Sequence, residues 1–206
     1  MRNKVIHYIL RIFGIIKLCI YNLFGYHIRF HISIFFHPSS KIIKKGKCNI
    51  TFGRHVQINR NCEISCNQGG ICYLEDNVVI KPYSYIEVGK DAELRLEQKV
   101  FLNRNSTIVC MGKIQIQKNV AIGNAVQFYD HDHVYVPDEE QQWAKSKRGT
   151  ILVERDVWIG AGCILLRGTV IEHNSTVAAG SIVKTKIPAN TLYFQEKAEV
   201  FREIGG

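Results

Sequence analysis

An aliphatic side chain recurs every six residues at Ile159, Leu165, Ile171, Val177 and Val183. Four positions after each stands a small or β-branched residue: Cys163, Thr169, Ser175, Ser181 and Ile187. A helix repeats about every 3.6 residues and a strand about every 2, so neither gives a clean period of six. A coil that turns a corner every six residues does, because each aliphatic group then points into one shared core. This period confines the chain to an all-β solenoid.

Read backwards, the pattern includes Ile151, Val153 and Val157 and then stops at residues 129–150. It resumes at Ile122 with Val126, Ile116 with Val120, Leu102 with Ser106, Leu96 with Val100, and on back to Phe52 with Val56, slipping by a residue or two between blocks. Asn61, Asn77, Asn105, Asn119 and Asn174 fall at expected corners, and Gly53, Gly89, Gly123 and Gly160 each follow an aliphatic position. Both residue types tolerate the left-handed backbone of a sharp turn, and that is the role expected of them here. With three hexads per turn, residues 52–187 without the interruption make about six turns around one core.

This tiling resembles the hexapeptide-repeat acyltransferases over about residues 52–187. The resemblance implies a left-handed parallel β-helix. The handedness comes from that likeness alone, since parallel crossovers are in general right-handed. The expected organisation is a basic amphipathic arm at 1–48, the β-helix at 49–190 with an extended loop at 129–150, and a tail at 191–206.

Charge is concentrated at one end. Residues 1–50 hold nine Lys and Arg and no acid, whereas the rest of the chain is balanced at 18 of each sign, so the formal +9 belongs to the arm. That argues against a nucleic-acid groove on the body. As a helix, residues 3–24 align Lys4, His7, Arg11, Gly14, Lys17 and Tyr21 in one stripe, with aliphatic residues elsewhere. Such a helix suits the plane of an anionic membrane, its cations at the headgroups, or else a cap on the solenoid's first turn. Arg11 and Lys17 interrupt a transmembrane run, and no A-x-A-like cleavage site follows. Seven cysteines, an odd count, point to a reducing compartment, and Cys62 falls in a core slot, away from any zinc-type spacing. The expected location is the cytoplasm, with peripheral contact at the inner face of the membrane through residues 1–24.

The interruption opens Tyr129-Asp130-His131-Asp132-His133. Imidazole alternating with carboxylate places a near-neutral base beside groups that hold its tautomer, a pattern suited to taking a proton from a hydroxyl. In the family that the tiling resembles, a loop histidine is the general base and Trp-Ile-Gly marks the resumed coil, here Trp158-Ile159-Gly160. Ungapped threading from Asn119-Val120 places the base on His133, which is the first candidate, and matching the local His-Asp pattern places it on His131, the second. Asp130 or Asp132 would orient the ring.

The same resemblance implies acetyl-coenzyme A in a groove along the prism, with contacts at Trp158, Gly160, Ala161, Ala178, Ala179, Lys184 and Thr185. A peptide N–H near Gly160 or Ala161 would face the oxyanion. It also implies a homotrimer with active sites between subunits, and no metal. Tyr135, Trp143 and Arg148 are candidates for the acceptor. The tail departs from the family's glycine and proline pattern, leaving Lys197 and Arg202 as candidates near the adenosine phosphate. The resulting expectation is an O-acetyltransferase acting on a hydroxyl of a sugar or glycan precursor of capsule or lipopolysaccharide type. A γ-type zinc carbonic anhydrase on the same fold and a noncatalytic scaffold are the alternatives.

Overall fold

The computed structural model describes residues 2–135, 145–196 and 201. Short strands follow one another into three parallel sheets, each forming one side of a prism. The first sheet runs from Arg29–Phe30 to Lys186–Ile187, the second from Phe35–Phe36 to Leu192–Tyr193, and the third from Lys41–Lys44 to Ile182–Val183. Successive strands belong to successive sheets, so one turn lays one strand on each side. Among the described residues there are seven complete coils and a partial eighth.

That exceeds the expected six because the solenoid begins earlier than Phe52. Arg29 and Phe30, in the segment read as a basic arm, pair with Thr51 and Phe52. The reason is visible in the packing: Ile28, Ile34 and Ser40 keep the six-residue spacing and are buried. At the other end, Leu192 and Tyr193 pair with Thr176 and Val177, so the coil also continues into the expected tail.

The slipping phase has a structural cause. In the later coils each side takes six residues, and Ile164 pairs with Ile182. In the earlier coils the first and third sheets have four-residue strands such as Ile71–Leu74 and Tyr85–Val88. Inward positions there step by eight or six, as at Ile50, Ile58, Ile64, Cys72, Ile80 and Ile86, all buried.

The five corner asparagines do adopt left-handed backbone, with φ between 55° and 61° at Asn61, Asn77, Asn105, Asn119 and Asn174. The four glycines serve a different purpose. Gly160 has no positive φ, but a Cβ on it would stand 2.5 Å from the peptide nitrogen of Ala179 on the next coil. Gly123 bears the same relation to the nitrogen of Ala161, at 2.6 Å. These positions need glycine for close stacking of coils, not for backbone handedness.

Core hydroxyls are satisfied by the adjacent coil: Thr169 Oγ1 donates to Val183 O at 2.8 Å and Ser175 Oγ to Pro188 O at 2.7 Å. All seven cysteines are free thiols and six are buried. Burial pushes the Cys72 thiol up to about 12, so it packs as a small apolar group and not as a nucleophile.

One helix, α1 (Arg2–Leu23), lies across the first coil. Its polar stripe faces the protein, the arrangement of the capping alternative and not of the one that put the cations at headgroups. Arg11 donates to the carbonyls of Ile34 (3.2 Å) and Ile32 (2.8 Å), and Lys17 to those of Pro38 and Ser40, both at 2.8 Å. His7 stacks on Phe35 at 4.4 Å. The first coil has no preceding coil to bond its peptide groups, and the cations of α1 take that place.

Candidate active site

The excursion leaves the prism at the corner between the third and first sheets. Strand Gln127–Tyr129 ends the third side, and strand Thr150–Val153 reopens the first. Between them, His131–Val134 and Lys145–Arg148 form an antiparallel pair, with His131 opposite Arg148 and His133 opposite Ser146. Gly149 N–H donates to Asp130 O at 2.8 Å and closes the base of this hairpin.

Asp130 is fully buried at that base. On the preceding coil the chain turns tightly through Met111 and Gly112, and their N–H groups donate to Asp130 Oδ1 (2.7 Å) and Oδ2 (2.8 Å). This clamp fixes the carboxylate plane. Burial and the Asp130 carboxylate together push the neighbouring Cys110 thiol up, leaving it without a nucleophilic role.

His131 stands directly over this carboxylate. Its Nδ1 is buried, makes no hydrogen bond of good geometry, and lies 3.5 Å from Asp130 Oδ1. A buried polar atom left in this state asks for an explanation, and catalytic hydrogen bonds commonly tighten only when substrate is in place. His133 lies further out on the hairpin, exposed, with its ring 5.5 Å from that of His131 in an edge-on arrangement. Asp132 turns elsewhere: its Oδ2 accepts from Arg167 Nε at 2.6 Å, tying the hairpin to the next coil. Arg167 was not legible in the sequence, because its partner is 35 residues away.

The cofactor candidates separate into two groups. Trp158, 59% exposed, lies on the second side, paired with Ala121 and Thr176. Gly160, Ala161, Ala178 and Ala179 follow at the next corner, where Gly123, Ala161 and Ala179 stack in a column of small residues along the prism axis. Gly160 N–H is committed to Val177 O at 2.8 Å. Among the described residues, Ala161 N–H makes no such bond.

Lys184 and Thr185 lie instead between strands Ile182–Val183 and Lys186–Ile187, at the same corner as the hairpin. Arg148 donates to Lys90 O at 2.7 Å and is engaged with its own chain, whereas Tyr135 is exposed beyond the hairpin. Trp143, Lys197 and Arg202 lie outside the described residues.

In a three-sided prism the side carrying Trp158 is opposite the corner that carries His131. One chain therefore cannot bring the two together by this route. Among the described residues no group of three or more His, Cys, Asp and Glu side chains is placed to hold a metal, and His173 Nδ1 instead faces Glu154 at 3.2 Å.

No family model matches the chain. The galactoside O-acetyltransferase of Lactococcus lactis is 31% identical over 63% of this chain and 61% of its own length. Nodulation protein L of Rhizobium meliloti is 30% identical over 64% of this chain and 70% of its own. Among solved structures, a hexapeptide-repeat acetyltransferase of Vibrio cholerae complexed with acetyl coenzyme A is 31% identical with a TM-score of 0.53, covering 61% of this chain and 65% of that one. The chain thus spans less than two thirds of the Lactococcus enzyme. A second structure of the Vibrio cholerae hexapeptide-repeat acetyltransferase is 30% identical, with a TM-score of 0.52, over 61% of this chain and 68% of that one, and the chain belongs to this family.

Proposed function

We propose that this protein is an acetyl-coenzyme A-dependent O-acetyltransferase acting on a hydroxyl of a sugar or glycan, with His131 as general base. The observation that carries this reading is the buried Asp130, gripped by two peptide N–H groups beneath a ring nitrogen that has no other partner. Nδ1–H directed at that carboxylate leaves Nε2 as the base facing outward. Nε2 takes the acceptor hydroxyl proton, the oxygen attacks the thioester carbonyl, and the tetrahedral intermediate expels the coenzyme thiolate, which receives that proton from the imidazolium. The activated thioester needs no enzyme nucleophile. Asp130 is a positioning residue, and His133 lies near enough to contact the acceptor.

Ala161 N–H stabilises the developing oxyanion, and the column of small residues leaves room for the pantetheine arm. Because Trp158 and His131 occupy opposed parts of one prism, the site forms between neighbouring subunits, most simply in a cyclic trimer. The sugar acceptor is supported by the relatives' names, which include galactoside O-acetyltransferases from two bacteria. A capsule or lipopolysaccharide precursor at the cytoplasmic side fits the free thiols.

The test is thiol release from acetyl-coenzyme A with a panel of sugars and oligosaccharides, the product being identified by mass and by its loss on mild base. Release that does not depend on an acceptor would overturn the reading in favour of a thioester hydrolase, and no release with any acceptor would overturn it in favour of a scaffold.

A further inference from the structure

We infer that the outer face of α1 docks the N-terminal end of the solenoid onto a membrane surface bearing anionic headgroups, the helix lying in the plane of the interface. The inference rests on which way the helix faces, and it is independent of the proposed reaction. With Arg11, Gly14, Lys17 and Leu18 turned to the first coil, the apolar positions point outward. Val5, Ile9, Phe13, Ile16 and Ile20 are all exposed, and the row continues through Leu23 and Phe24, which are 85% and 80% exposed. A ridge this long and apolar marks an interaction surface, whereas the exposed aliphatic side chains of the coils, such as Ile71 and Ile182, stand singly.

Charge selects the occupant. A cleft of about 490 Å³ opens beside Gly25, just past Phe24, and is lined by His27, Lys44 and Lys47. Lys44 donates to Tyr26 O at 2.6 Å and has further N–H donors for an anion. Nine cations and no acid in residues 1–50 disfavour pairing with the same end of a second copy. An apolar ridge ending in a cationic cleft matches acyl chains bordered by lipid phosphates. The stretch Lys4–Leu23 is also long and apolar enough to cross a bilayer, but its inner face is already bonded to the coil.

The experiment is cosedimentation of the full chain with vesicles of phosphatidylcholine alone and of phosphatidylcholine with phosphatidylglycerol. The wild type is expected to sediment with the anionic vesicles. The double substitution Ile9→Glu with Phe13→Glu should lower the bound fraction about tenfold or more without shifting the melting temperature, since both side chains are exposed. Lys47→Glu should weaken binding to the anionic vesicles and leave the neutral ones unchanged. Three results would overturn the inference. The first is a wild type that stays in solution, or a double variant that binds as well as it. The second is a ridge that drives only self-association, seen by light scattering and abolished in the double variant. The third is chain retained after an alkaline carbonate wash, which would make α1 a membrane span.

Discussion

Both oxygens of Asp130 accept peptide N–H groups, so the carboxylate cannot turn to follow the imidazole, and His131 must come to it. This asymmetry separates two substitutions. His131→Ala should lower kcat by about a hundredfold or more with the melting temperature nearly unchanged. Asp130→Asn should lower both, because the amide turns an N–H toward a peptide N–H, costing about 1–3 kcal/mol of stability. Its rate loss should come with an altered pH profile, since the imidazole loses the group that orients it. His133→Ala should change KM more than kcat. Steady-state kinetics across pH, set beside thermal melts, checks all three. If His133→Ala abolishes turnover and His131→Ala does not, the base sits on the outer ring of the hairpin. At this scale the sequence had narrowed the choice to two histidines and two aspartates. It could not go further because the deciding donors, Met111 and Gly112, belong to the preceding coil.

At the scale of the element, α1 behaves as a lid whose underside is polar. A helix read alone presents its cations to water or to headgroups, and the sequence left that arrangement and a cap on the first turn both open. The end of a solenoid reverses it, since the terminal coil exposes backbone carbonyls that need donors. Lys17→Ala should therefore destabilise the fold by about 1–3 kcal/mol, through two carbonyls left without a partner. Gly14→Ala should be at least as costly, because its Cβ would overlap Phe36 O and force the helix away from the coil. Melting curves of the two variants with the helical circular dichroism signal followed separately should show α1 detaching before the coils unwind. A loss of vesicle binding in these variants would report on the lid and not on its outer face, so they are kept apart from the membrane test.

For the whole molecule, the separation of the hairpin corner from the Trp158 side makes a sharp prediction about assembly. Variants His131→Ala and Trp158→Ala, each inactive or nearly so alone, should regain activity when co-refolded in equal amounts. In a cyclic trimer with random mixing about one quarter of the interfaces combine an intact His131 with an intact Trp158. Activity that stays at the level of the separate variants, from mixed assemblies verified by mass, would place each complete site within a single chain. The carboxylates of the later coils also set an acid limit. Lys186 and the Ala189 N–H hold the Glu172 carboxyl below its usual range. Its contribution to stability is therefore present above the ordinary carboxylate pKa and lost as pH falls through the depressed value. Glu172→Gln should flatten the acid limb of the melting temperature against pH, leaving values near neutrality little changed.

The six-residue period, the asparagine corners and the single long interruption were all legible in the sequence. Each is a local property repeated many times, and the repetition averages out any one ambiguous residue. The eight-residue sides appeared only as a slipping phase, because their extra pair of residues lengthens a strand without changing which face is buried. The extra first coil was hidden by the basic residues around it, although Ile28, Ile34 and Ser40 were in step. What the tertiary structure alone decided is which imidazole meets a buried carboxylate, which face of α1 looks outward, and that glycine serves stacking at Gly123 and Gly160. Each of these depends on an atom supplied by a neighbouring coil or by the solenoid's open end, tens of residues away in the chain. No window of sequence contains both partners.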